Sequence, residues 1–190
     1  MGFLKKLFGN VEKANKGEIP AEEIVPPFTF DLAEEADDYW REMEELLLIN
    51  AVKAVGGPEA VERVFVLANF KENQETFELF YQVDGQLLSW KEMDAAVVDK
   101  ISNQLLPQAP EVARAVNENY EEAKVPVIEY AMLQFETATM AWFGRKLTTA
   151  SPEAQLTFEE LVAGWRGVIE EEIPTHLIDS DTAFPYFEVR

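Results

Sequence analysis

The sequence contains no cysteine and a single histidine, His176. Without cysteine there is no disulfide scaffold, no thiolate metal site and no cysteine nucleophile, which argues against a secreted design held together by disulfides. One histidine cannot supply an H-E-x-x-H zinc site or any multi-histidine centre. The nine glycines are scattered at turns, and they form neither a G-x-x-x-x-G-K-[ST] phosphate loop nor a G-x-S-x-G nucleophile elbow. No apolar run approaches the roughly 20 residues of a membrane span, and the opening residues lack the apolar core of a secretory signal. Positive charge is the other shortage. Lys+Arg number 16 against 36 Asp+Glu, a net charge of −20 in 190 residues. A nucleic-acid surface would work against that field, whereas a basic protein partner would be drawn by it.

Apolar residues, by contrast, are plentiful: 47% hydrophobic and 12% aromatic is enough for a packed core and excludes disorder over most of the length. The charge is unevenly placed. Residues 1–16 hold Lys5, Lys6, Lys13 and Lys16 against Glu12, so a head of +3 precedes a remainder of −23. Within that head Phe3, Leu4, Leu7 and Phe8 lie at helical spacing around Lys5 and Lys6. Residues 1–18 therefore read as a basic amphipathic segment suited to weak contact with an anionic lipid surface or to docking, or simply as a frayed N-terminal helix. Residues 19–190 read as one domain with an extended arm over 173–190, entered through a linker rich in glycine and proline.

The domain opens with a long helix over 31–55, with Asp31 at its N-cap and Gly56-Gly57-Pro58 as its stop. Leu32, Ala36, Tyr39, Trp40, Met43, Leu46 and Leu47 form the expected buried stripe. Glu34, Glu35, Asp37, Asp38, Glu42, Glu44 and Glu45 form the opposite face. The period then changes: VERVFVLANF (61–70), TFELFYQV (76–83) and QLLSW (86–90) read as strands, with Asp84-Gly85 as a type I′ hairpin turn. In the second strand Phe77, Leu79 and Tyr81 point one way; Glu78, Phe80 and Gln82 point the other, which leaves Phe80 a candidate for exposure. Helical spacing returns over 92–106 and 110–123, divided by Pro107 and Pro110. Residues 127–137 and 139–147 read as a second hairpin, and Thr157 with Glu160 makes a capping box for a last helix carrying Phe158, Leu161, Val162, Trp165, Val168 and Ile169. The order α-βββ-α(α)-ββ-α predicts an α+β fold, an antiparallel sheet with helices packed on one face.

Val61, Val64 and Phe65 on the first strand, Phe77, Phe80 and Tyr81 on the second, then Asp84-Gly85 and Trp90, resemble the strand and turn pattern of the YezG-type antitoxin and immunity family over roughly 31–147. The same element order is similar to the secretion-chaperone-like and YbjN-like fold, likewise acidic and non-enzymatic. The resemblance implies a binding protein without a catalytic signature, and it is an analogy of fold.

The residues point the same way. Carboxylate pairs occur at every spacing simply because acids are so numerous, so no glycosidase-like dyad stands out. Glu170 to Glu172 and Asp179 with Asp181 read as solvated acidic surface, since D-S-D lacks the glycine and glutamate of a calcium loop. His176 reads as structural. Neither a cofactor nor a metal is expected, and no catalytic residue is assigned. Trp40, Trp142 and Trp165 fall on apolar stripes and read as core; Trp90, at the end of the third strand beside Lys91 and Glu92, also reads first as core and, of the four, is the candidate for exposure at a rim. The leading expectation is a cytoplasmic, non-enzymatic inhibitor of a basic effector such as a nuclease. Glu34, Glu35, Asp37, Asp38, Glu44 and Glu45 would mimic phosphate around the aromatic contacts Phe80 and Trp90. The alternatives are an adaptor that holds an apolar client segment, and a peripheral membrane protein recruited through Phe3, Leu4, Lys5, Lys6, Leu7 and Phe8. A homodimer covering part of the sheet is a further option.

Overall fold

The computed structural model describes residues 31–173. The basic head, including Phe3, Leu4, Lys5, Lys6, Leu7 and Phe8, lies outside the described residues, as do His176, Asp179, Asp181 and the arm beyond Ile173. The fold is α+β. Helix α1 (Leu32–Ala54) leads into strands β1 (Arg63–Asn69), β2 (Thr76–Val83) and β3 (Gln86–Ser89). Helices α2 (Ala95–Lys100) and α3 (Ala109–Glu122) follow, then β4 (Ile128–Glu136), β5 (Ala141–Thr148) and α4 (Phe158–Glu172). All five strands pair antiparallel in the order β3-β2-β1-β4-β5. Two hairpins thus flank the central strand β1, and the edges are the short β3 and the eight-residue β5.

Local chemistry accounts for the boundaries. The Asp31 carboxylate accepts a hydrogen bond from the Ala33 amide at 3.0 Å and caps α1, and Gly56 and Gly57 carry the chain out at φ of 102° and 128°, a region closed to most side chains. Asp84 and Gly85 both take positive φ, 49° and 75°, as a type I′ turn requires. Helix α4 has its full capping box, with Thr157 Oγ1 accepting from the Glu160 amide at 3.2 Å and Glu160 Oε2 accepting from the Thr157 amide at 2.8 Å. The α2–α3 connection passes through a wide five-residue π turn, Ile101–Leu105, just ahead of Pro107, which has no amide hydrogen to continue the α-helical ladder. Asn117 of α3 then pairs with both backbone groups of Ile128, each at 3.0 Å, and pins the start of β4.

Strand alternation divides the core in two. Val64, Val66 and Ala68 of β1, Phe77, Leu79 and Tyr81 of β2, and Ala131 and Leu133 of β4 pack with Trp40, Leu47, Leu48 and Ala51 of α1 and Val116 and Tyr120 of α3. The opposite parity, Phe65, Leu67, Phe80, Tyr130, Met132 and Leu147, packs with Leu161, Trp165, Val168 and Ile169 of α4. Helices therefore cover both faces. The expectation of helices on one face holds for α1 and α3 and fails for α4, because its apolar stripe needs a sheet face not already taken. At one end of the α4 face sit Arg63, Gln82 and Glu136, all enclosed. Arg63 donates to Glu136 Oε1 through Nε at 3.1 Å and Nη2 at 2.9 Å, and to Gln82 Oε1 through Nη1.

Candidate acidic and apolar surface on helix α1

Helix α1 is the element on which the predicted contact residues concentrate, and its two sides separate them. Glu34, Glu35, Asp38, Glu42 and Glu45 are exposed. At 100° per residue they share one outward arc with Leu46 and Ile49, which are also exposed. Asp37 and Glu44 lie elsewhere. Asp37 is half-buried and meets the Lys146 ammonium of β5 and the Tyr120 hydroxyl of α3; the hydroxyl donates to Asp37 Oδ1 at 2.7 Å, and Lys146 Nζ donates to the Tyr120 oxygen at 2.8 Å. Glu44 is only 6% exposed, correcting its placement on the solvated face.

Glu44 packs against Gly144 of β5 so closely that a Cβ at that glycine would collide with the Glu44 carboxylate. A side chain at position 144 would have to displace the Glu44 carboxylate, so this glycine matters by close approach and not by a turn. Burial pushes the Glu44 carboxyl up to about 7, against the opposing pull of a hydrogen bond from Trp40 and the charges of Lys146 and Arg41. Asp37 moves the other way. Burial works to raise it, but the hydrogen bonds from Lys146 and Tyr120 with the charges of Lys146 and Arg41 outweigh burial and hold the carboxyl below its usual range. The Tyr120 hydroxyl is raised by burial and by its bond to Asp37. A small pocket of about 220 Å³ opens beside this cluster, lined by Asp37, Trp40, Arg41, Glu44, Gly144 and Lys146.

The two aromatic residues expected at the contact are both enclosed. Phe80 is 1% exposed, because α4 covers its face of the sheet and the Arg166 guanidinium lies 5.6 Å from its ring centre. Trp90 is 8% exposed, with its indole N–H finding no acceptor among the described residues and Lys91 lying over its ring. Trp142, expected in the core, is instead 37% exposed on the edge strand β5. Leu32 and Leu46 also leave the predicted stripe for solvent, and Glu44 and Leu48 enter it.

The apolar surface lies at the C-terminal half of α1. Ile49, Leu48 and Val52 face Phe135, Met140 and Trp142 across a groove of about 440 Å³, with Glu45 and Lys53 among its lining residues. Met140 stands out: it is 65% exposed and holds φ of 54°, a left-handed conformation uncommon for a long side chain. Part of this surface is legible in the sequence. Four consecutive apolar residues, Leu46 to Ile49, sweep about 300° of a helix and cannot all face one core. Trp142 and Phe143 are adjacent on a strand and must point to opposite faces. Nothing in the sequence brings Met140 and Trp142 to Ile49.

Among the described residues no group of three or more His, Cys, Asp or Glu is arranged to hold a metal ion, and no helix is long and apolar enough to cross a membrane. No family model matches the chain, and no curated protein matches it.

Proposed function

We propose that the chain is a cytoplasmic, non-enzymatic protein-binding domain of the immunity or antitoxin kind, which takes a basic effector such as a nuclease on the outward arc of α1. The observation that carries this reading is the row of exposed carboxylates, Glu34, Glu35, Asp38, Glu42 and Glu45, running into the apolar groove at Ile49 and Trp142. An apolar centre bounded by charge is the anatomy of a protein interface. The net charge of −20 far exceeds the magnitude of about 2–8 that solubility asks of a small domain. The contact centre is Leu46, Ile49, Met140 and Trp142 in place of Phe80 and Trp90. The same field that draws a basic protein repels nucleic acid, so the carboxylates stand where the effector would otherwise hold phosphate.

The test is affinity capture at low ionic strength with the wild-type chain and with a variant carrying Glu34→Gln, Glu35→Gln, Asp38→Asn and Glu45→Gln. A basic protein held by the wild type, released as salt rises and lost to the variant is the expected result. A partner that stays bound at high salt and to the neutralised arc overturns it. The groove itself favours a second reading, an adaptor holding an apolar client segment. In that case Ile49→Lys abolishes binding while the neutralised arc retains it.

A further inference from the structure

The edge strand β5 carries two adjacent aromatic residues, a glycine and two cations, of which only Trp142 also belongs to the α1 contact surface. Its middle reads Trp142-Phe143-Gly144-Arg145-Lys146. Trp142 stands opposite Phe135 on the α1 side of the sheet, and Lys146 reaches Asp37 on that same side. Arg145 pairs with Glu153, and Leu147 packs under α4, so the odd positions face the other side. Trp142, Phe143 and Gly144 are all exposed, Phe143 at 39%. The other edge, β3, has only four residues and ends in a helical turn. Of the devices that protect an edge, β5 has neither a proline nor a very short length, and its two charges, Arg145 and Lys146, are drawn to Glu153 and Asp37.

We propose that β5 pairs antiparallel with β5 of a second copy of this chain about a two-fold axis at Gly144, joining two five-stranded sheets into one. A two-fold axis perpendicular to the sheet keeps each face continuous, so residues placed opposite each other share a face. With the axis at Gly144, Trp142 lies opposite Lys146 of the other copy and Phe143 lies opposite Arg145. Every aromatic ring on the edge then meets a cation, two pairs on each face of the joined sheet. The neighbouring registers lose this. An axis at Arg145 sets the two guanidinium groups against each other. An axis at Phe143 leaves Trp142 opposite a glycine. The strand is thus complementary to its own reverse in one register only, which a segment of a different protein would match only by coincidence.

Charge makes the pairing distinguishable from the binding of a basic partner. Two chains of −20 repel, so self-association strengthens as salt screens them, over a Debye length that falls to about 8 Å near physiological ionic strength. The effector contact weakens under the same change. Trp142 belongs to both surfaces, but Phe143 faces away from the groove and Ile49 lies off the edge, so the two proposals fail separately.

The experiment is sedimentation velocity on the full chain across concentration and salt, with Phe143→Lys and Ile49→Lys as paired variants. The expected result is a dimer that tightens with salt, weakens ~10-fold in Phe143→Lys, where two cations oppose each other, and is unchanged in Ile49→Lys. Because the chain has no cysteine, the register is read directly by mixing Phe143→Cys with Arg145→Cys copies under oxidation. A disulfide between unlike copies supports the axis at Gly144. A chain that stays monomeric at every concentration and salt, or a dimer indifferent to Phe143→Lys, overturns the proposal, as does a dimer that cross-links only between like copies. Circular dichroism of each variant confirms that a loss of dimer is not a loss of fold.

Discussion

Two polar clusters sit on opposite faces of the same sheet, and they handle buried charge differently. On the α4 face, Arg63 and Glu136 are enclosed together, with Gln82 as a third partner. The cation there bonds the carboxylate directly, through two nitrogens. On the α1 face, Asp37 takes the cation Lys146, and Glu44 next to it receives only a hydrogen bond from Trp40 and the more distant charges of Lys146 and Arg41. The contrast teaches that burial alone does not decide the state of a carboxyl group. A carboxylate paired with a cation and one enclosed without such a pair respond to pH in opposite directions, even when they are neighbours.

The strongest way to break the comparison is to remove one member of the enclosed pair. Arg63→Ala is expected to destabilise the fold by about 3–5 kcal/mol, because it strands the Glu136 charge in the interior; chemical denaturation measures it. Asp37→Ala should destabilise by about 1–2 kcal/mol, a smaller loss because this cluster borders solvent and its charges are screened. A matching loss in the two variants would mean that the clusters are equally enclosed.

The pH dependence sharpens the same contrast. Glu44 titrates near 7 in the fold against 4.5 as the ordinary value. Between those values the folded chain binds more protons than the unfolded one, so stability falls as pH rises from 4.5 towards 7. Asp37 is lowered from 3.8, so its contribution is present above that value and is lost as pH falls through its folded value. Glu44→Gln keeps a neutral side chain at all pH. It should therefore match wild type near pH 5 and exceed it at pH 8 by about 1–2 kcal/mol, measured as the difference between denaturation midpoints at the two pH values. A difference that does not change with pH would remove Glu44 as the titrating group. The smallest expected effect is at the groove. Met140→Gly relieves a left-handed backbone and should stabilise by about 0.5–1 kcal/mol, while weakening any partner that uses the groove. A gain in stability with no loss of binding would separate Met140 from the contact.

How far these features were legible depends on how local they are. The Asp84-Gly85 turn, the Thr157–Glu160 box and the Gly56-Gly57 stop depend on residues within a few positions of one another, and each appears at the expected place. The strand parity of Phe77, Leu79 and Tyr81 was equally readable, since alternation is a property of one strand. The candidate site was not. The exposed arc Glu34, Glu35, Asp38 and Glu45 follows from helical period, but the sequence suggests Phe80 as a contact from the mixed polarity of its sheet face and Trp90 from its place at the end of the third strand beside Lys91 and Glu92. α4 takes that face and encloses Phe80, while Trp90 packs into the core on the α1 side, and among the described residues the exposed aromatic side chains are instead Trp142 and Phe143 on the outer strand.

Glu44 shows the remaining gap. By sequence it is one of seven acids on α1, and its helical position differs from that of Asp37 by only about 20°. What separates it from the solvated arc is a glycine a hundred residues later, whose missing side chain leaves a place for its carboxylate beside Trp40.

The sequence by itself determined the elements, their order, the α+β class and the uneven charge, because caps, turns and periodicity act over a few residues and charge is only counted. Which side of each helix is covered, which strand is left at an edge and which carboxyl group loses water were decided only by the tertiary structure. Those depend on contacts between segments far apart in the chain, and the free energy of burying or pairing a group is set by everything that surrounds it.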